Sequence, residues 1–200
     1  MASILAWISG SGVVQGIIIG ATLSFLTAIL IMNGVGRTIT STVNGWSSIR
    51  RVGQPGNGIF VRAASSKALP VVNVFEEAAY WTTIRDGAGG RLNGGHEYVL
   101  TFPAGQLPPN DAFWSLTITD VVGYMESNSV GRSSFNDRSN LATNADGSID
   151  IYLRRESPAG HEQNWLTSPA GNFKLTLRAY LPGAAILDGT YRVPPVVRAQ

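Results

Sequence analysis

The sequence predicts a mainly β protein: an antiparallel, jelly-roll-like β-sandwich preceded by one N-terminal transmembrane α-helix. Two observations predict it. No side chain from Met1 to Gly36 is ionisable, and from Tyr98 onward apolar residues recur with a period of two, in runs separated by turn residues. The expected division is a membrane anchor over 1–36, with its span at about 13–32, a linker over 37–58 and a β-sandwich domain over 59–200.

Within the first segment, Val13 to Met32 reads VVQGIIIGATLSFLTAILIM, with one amide side chain and no charge. A helix of about 20 residues crosses the ~30 Å hydrocarbon core of a bilayer. The run exceeds the 7–15 residues of a signal-peptide core, no Lys or Arg precedes it, and no Ala-x-Ala pattern follows Met32, so an uncleaved anchor is expected. Gly12, Gly16, Gly20, Ser24 and Ala28 recur every fourth residue and form one stripe of small side chains. Small-x-x-x-small stripes let helix backbones approach closely in lipid, so the expected partners are membrane lipid and another transmembrane helix or membrane protein complex. Met1 to Ser9, with Trp7, is expected at the membrane interface before the span.

Gly34 to Gly58 is rich in Gly, Ser, Thr and Asn and contains Pro55-Gly56, a composition that favours turns and extended chain. Its Arg50-Arg51 pair either meets lipid phosphates or a partner, or is simply solvated; solvation is the favoured reading. The stretch 71–80, VVNVFEEAAY, is the only one outside the anchor with a helical reading, as one or two turns before a strand around Tyr80 to Arg85. Beyond it Tyr98, Leu100 and Phe102 alternate with more polar residues, as do Trp114, Leu116 and Ile118, then Ile149, Ile151 and Leu153, then Phe173, Leu175, Leu177 and Ala179. Turn signals such as Asp86-Gly87, Asn93-Gly94-Gly95 and Asp146-Gly147 stand between them. Strands half exposed in this way pack as antiparallel sheets around one core.

Composition excludes several functions. The chain has 200 residues, 15 Lys+Arg against 13 Asp+Glu and a net charge of +2, a balance that points away from a nucleic-acid partner. It contains no cysteine, which excludes disulfides, thiolate zinc sites, iron–sulfur clusters and cysteine nucleophiles. His96 and His161 are the only histidines and lack any metal-binding spacing, so no metal and no cofactor are expected. Ser115, in Trp-Ser-Leu-Thr, lacks the flanking glycines of a nucleophile elbow. Asp111, Asp146 and Asp188 sit in turn sequences, where such side chains usually hydrogen-bond the turn backbone rather than act as acid or base. No catalytic residue is assigned. The weak ligand-binding candidates are Trp114, Asn164, Trp165 and Arg178. Trp165 either plugs an end of the sandwich or offers a flat face to a sugar, with the plug favoured.

The series Glu76-Glu77-Ala78-Ala79-Tyr80, Phe113-Trp114-Ser115-Leu116-Thr117, Asp146-Gly147-Ser148, Asn164-Trp165-Leu166 and Leu177-Arg178-Ala179-Tyr180 resembles the bacterial domain of unknown function 1214 family, over about Gly45 to Pro195. Thr167 stands where that family usually has proline, and Thr119 where it has an aromatic. The resemblance implies an exported jelly-roll-like β-sandwich and no established reaction.

The expected function is therefore that of a non-enzymatic accessory or structural subunit, its helix docking a membrane complex. The alternative is an envelope carbohydrate- or small-ligand-binding module or hydrolase-like enzyme on the same anchor. Arg37, Arg50 and Arg51 would keep the domain in the cytoplasm by the positive-inside count, but a domain this long translocates regardless of nearby charge. With the family resemblance, a single-pass location in a bacterial inner membrane and a periplasmic domain are expected.

Overall fold

A computed structural model describes residues 10–69, 72–125 and 132–199. The chain forms two compact units, one of residues 1–39 with 56–71 and one of residues 40–55 with 72–200. The expected interfacial placement of Met1 to Ser9 concerns residues outside those described.

The first unit is helical. Helix α1 runs Gly12–Ile39, 28 residues, and none of its residues is buried within the protein. At 1.5 Å per residue it is about 42 Å long, enough to cross a hydrocarbon core. Two of its hydroxyls turn back on the helix: Ser24 Oγ donates to the Gly20 carbonyl and Thr38 Oγ1 to the Val35 carbonyl, both at 2.8 Å, so neither of these groups needs an outside partner. Arg37 in the last turn complements the negative end of the helix dipole. Helix α2, Ile59–Ala68, packs on α1, and Lys67 Nζ donates to Asn33 Oδ1 at 2.6 Å. This helix corrects the sequence reading, which placed the only helical stretch outside the anchor at 71–80. There the described residues make one turn, closed by the Glu77 and Ala78 N–H groups on the Val74 carbonyl, before a strand begins.

The second unit is a β-sandwich of two sheets. One sheet has the order β1 (Ser41–Val43), β2 (Trp46–Ser48), β3 (Ala78–Thr83), β9 (Phe173–Pro182), β5 (Asn110–Asp120) and β6 (Ser134–Asn136). The other runs β10 (Val196–Arg198), β4 (Tyr98–Phe102), β7 (Ile149–Arg154) and β8 (Trp165–Thr167). All pairings are antiparallel except β7 with β8, which is parallel. Both residues of each in-register pair point to the same face, so Trp114 opposite Ala179, Leu116 opposite Leu177 and Ile118 opposite Leu175 enter the core together. All but Ala179 share one cluster with Tyr98, Leu100, Phe102, Ile151 and Leu153 of the second sheet, while Ala179 packs in a smaller cluster with Phe75, Ala79 and Ile186. The four alternating runs therefore form β4, β5, β7 and β9, with the inward faces that their periodicity predicts.

Part of the expected linker is folded. Asn44 and Gly45 take φ of 54° and 85°, the left-handed pair that a two-residue hairpin requires, and they join β1 to β2. Trp46, the first residue of β2, is 1% exposed and belongs to the main core cluster.

Candidate functional site

A cleft of about 180 Å³ lies at the β1–β2 edge of the larger sheet, against the C-terminal segment. Three pieces of chain supply most of its lining, joined by Arg50 and Phe75. The hairpin contributes Val43, Trp46 and Ser48; β3 contributes Trp81; and the segment from Ile186 to Val193 closes the other side. A short helix, α3 (Ala184–Leu187), opens that last segment.

Arg50 fixes the closure. Its Nη1 donates to the Ile186 carbonyl at 3.0 Å, which also accepts from the Gly189 N–H, and its Nη2 donates to the Leu187 carbonyl, so the guanidinium caps the end of α3. The same guanidinium lies 4.8 Å from the centre of the Phe75 ring. Gly189, at φ 81°, passes so close that an added Cβ would stand 2.8 Å from Arg50 Nη1. Asp188 caps the following turn, accepting from the Thr190 N–H at 2.8 Å and the Thr190 hydroxyl at 2.7 Å. Those two bonds hold its carboxyl below the usual carboxylate range, and the charge of Arg50 adds to the effect.

Aromatic rings form the inner wall. Tyr191 meets Trp81 edge to face at 5.9 Å, and burial pushes the Tyr191 phenol well above its ordinary pKa. Its hydroxyl donates to the Gln106 carbonyl at 3.3 Å. The buried residues Trp46, Phe75, Ile186 and Val193 lie deep, while Arg50 and Arg192 are exposed at the mouth. Arg192 Nη1 donates to the carbonyls of Gly189 and Tyr191. Ser48 also lines the cleft, but its hydroxyl is shielded from water and has no hydrogen-bond partner among the described residues. Chemically, the lining combines aromatic surface with the guanidinium groups of Arg50 and Arg192.

The residues singled out by sequence lie elsewhere, and they do not converge. Trp114 is buried on β5 beside Phe102, ring centres 6.2 Å apart. Arg178 is on the opposite face of the same sheet, paired with Ser115, and its Nη1 donates to Thr117 Oγ1 at 2.9 Å. The exposed aromatic of β5 is Phe113, stacked on Tyr180 with 4.3 Å between centres. Asn164 is buried; its Nδ2 donates to the carbonyls of Ala142 and Asp150, both at 2.8 Å, and its Oδ1 accepts from the Ala142 N–H at 2.7 Å. Trp165 follows it, buried, with Nε1 donating to the Arg154 carbonyl at 2.8 Å. The helix stripe keeps open space around it: a Cβ at Gly12, Gly16 or Gly20 would meet nothing within 4 Å.

The carboxylates mostly brace turns. Asp120 Oδ1 accepts from the N–H groups of Val122, Gly123 and Tyr124, and Asp146 Oδ1 from the N–H and hydroxyl of Ser148. Asp86 Oδ1 likewise accepts from Ala88 and Gly90. His96 contacts Arg198, while His161 lies against Tyr152, so the two histidines occupy separate places. Among the described residues, no three His, Cys, Asp or Glu side chains group as metal ligands.

Sequence reading missed the cleft because its walls come from segments far apart in the chain. Asn44-Gly45, flanked by short β-prone runs, was the available signal for the hairpin. Nothing local linked it to residues 186–193.

Among solved structures, the chain is similar to the VPA0106 protein from Vibrio parahaemolyticus, with 28% identity and a TM-score of 0.60, over 70% of this chain and 35% of that one. It also aligns with an uncharacterized protein from Burkholderia cenocepacia at 14% identity and a TM-score of 0.42, covering 88% of this chain and 49% of the other, a likeness too remote to argue from. The chain thus spans about a third of the first protein's length and half of the second's. No curated protein matches it. The model of the family described as "Protein of unknown function (DUF1214)" matches residues 77–184, the stretch from β3 through β9, and the chain belongs to that family.

Proposed function

We propose that the protein is a membrane-anchored, non-enzymatic accessory subunit, with α1 in a bacterial inner membrane and the β-sandwich on the exported side. One observation carries the reading: α1 is 28 residues long, has a mean hydropathy of 2.1 over its most apolar window and buries none of that window inside the protein. An apolar surface of that length needs a nonaqueous environment. The β unit follows almost at once, since β1 begins at Ser41 and α1 ends at Ile39.

The stripe Gly12, Gly16, Gly20, Ser24 and Ala28 is the face offered to a second transmembrane helix. Lys67 of α2 reaches α1 at Asn33, past the end of that stripe. An accessory role is supported by the use of Asp86, Asp120, Asp146 and Asp188 in their own turns, which commits these carboxylates to structure.

Two measurements test location and orientation. The chain should stay with membranes at alkaline pH and be released by detergent; release by alkali alone would end the anchor reading. A reporter active only after export, fused beyond Gln200, should be active, whereas activity of a cytoplasmic reporter at the same place would reverse the orientation.

A further inference from the structure

We propose that the cleft between the β1–β2 hairpin and residues 186–193 binds a small carboxylate with a planar, apolar body. The inference rests on the cleft alone and stands whether or not the anchor docks a partner.

Size comes first. Its volume is about 180 Å³, and an apolar cavity of about 150 Å³ is enough for benzene, so the cleft as a whole is large enough for one six-membered ring. The walls suit such a ring, because Trp46, Phe75, Trp81 and Tyr191 present aromatic surface.

Polarity then selects the anion. Among the described residues, Arg50 and Arg192 are the only formally charged ones lining the cleft. Asp188, outside the lining, offsets part of the Arg50 charge, and two arginines against one carboxylate leave a single net positive charge, a match for a monoanion. The nearby carbonyls of Ile186, Leu187 and Gly189 already accept from those arginines. A neutral sugar needs acceptors for its hydroxyl protons, and the lining offers no carboxylate or side-chain amide for that purpose. What remains is donor capacity. Each guanidinium has five N–H groups, more than the bonds to these carbonyls consume. A carboxylate at the mouth with its ring inside meets both requirements.

The test uses the full chain in detergent micelles with 4-fluorobenzoate as the probe, followed by ¹⁹F NMR. Binding should broaden the probe signal, unlabelled benzoate should reverse the broadening, and inorganic phosphate at equal concentration should not. The neutral analogue 4-fluorobenzamide should bind at least about tenfold more weakly, the ratio expected for losing one charge-assisted hydrogen bond. Arg192→Gln alters an exposed side chain and should weaken 4-fluorobenzoate by about tenfold; Ser48→Leu, which fills the cleft, should abolish binding. Comparison with Arg192→Gln in the same micelles removes the contribution of probe dissolved in detergent, and this variant decides the matter even if Ser48→Leu fails to fold. No broadening, equal binding of acid and amide, displacement by phosphate, or unchanged affinity in Arg192→Gln would each overturn the proposal.

Discussion

The indole Nε1 of Trp46 donates a 2.8 Å hydrogen bond to the carbonyl oxygen of Pro194, 148 positions later in the chain. Beside it, Asn44 Nδ2 donates to the Val193 carbonyl at 3.0 Å. Through these bonds and those of Arg50, the first hairpin after α1 is fastened to the C-terminal segment. Trp46→Ala should therefore lower stability by about 3–5 kcal/mol, since it empties a buried aromatic site, and Trp46→Phe by about 1 kcal/mol through the lost hydrogen bond. Urea denaturation followed by circular dichroism measures both. If Trp46→Ala unfolds at the wild-type midpoint, the hairpin is not part of the domain core.

Asn164 and Arg178 should separate sharply. Asn164 satisfies three backbone groups from a buried position, so Asn164→Ala leaves partners unpaired and should cost about 2–4 kcal/mol. Arg178 makes one side-chain hydrogen bond on a sheet face, and Arg178→Ala should cost less than about 1 kcal/mol. Similar losses in the two variants would contradict these assignments.

Acid should weaken the domain through its turns. The N–H groups of Tyr124, Gly123 and Val122 hold the Asp120 carboxyl below its ordinary value of 3.8, and bonds from Ser148 and Thr190 do the same for Asp146 and Asp188. A depressed folded pKa means that the contribution is complete above the unfolded value and is lost as pH falls through the folded one. The urea midpoint should fall below about pH 4, and the gap between wild type and Asp120→Ala should narrow as the carboxylate is protonated. A gap that stays constant from about pH 6 to about pH 3 would refute the role given to Asp120.

Backbone proximity makes one glycine irreplaceable. A Cβ at Gly94 would stand 1.7 Å from the Pro169 carbonyl oxygen, whereas one at Gly171 would meet nothing within 4 Å. Gly94→Ala should prevent normal folding or cost more than about 3 kcal/mol, and Gly171→Ala should change stability by less than about 1 kcal/mol. Thermal denaturation of the two variants checks the contrast; equal midpoints would disprove it.

The sandwich was legible wherever a strand has one wet face and one dry face, because burial then writes a period of two into the sequence. Tyr98, Leu100 and Phe102 show it, as do Phe173, Leu175 and Leu177. The apolar helix was legible for the opposite reason, having no polar face at all. Short strands hide: β1 and β2 have three residues each, too few to display a period, and only Asn44-Gly45 marked them. Helix α2 was missed because Gly58 caps it without a side-chain hydrogen bond and its sequence, IFVRAASSKA, buries only Ala64 and Ser65. Trp114 and Trp165 drew attention as aromatics, yet strand parity turns Trp114 inward and leaves its neighbour Phe113 exposed. The cleft was illegible because Ser48, Trp81 and Tyr191 come together only through tertiary contacts.

The most direct measurement of the accessory-subunit account is co-purification from membranes in mild detergent, comparing wild type with Gly16→Leu/Gly20→Leu and with a control variant, Ile18→Leu/Leu26→Val. The glycine positions have open space around them, so leucine leaves the helix itself intact while separating any helix that packs against the stripe. The account predicts a stoichiometric membrane partner with wild type and control, reduced by about tenfold or more in the glycine variant, since losing close approach over two turns removes more than about 1.4 kcal/mol. A solitary protein in all three preparations, or equal recovery of the partner in all three, would contradict it.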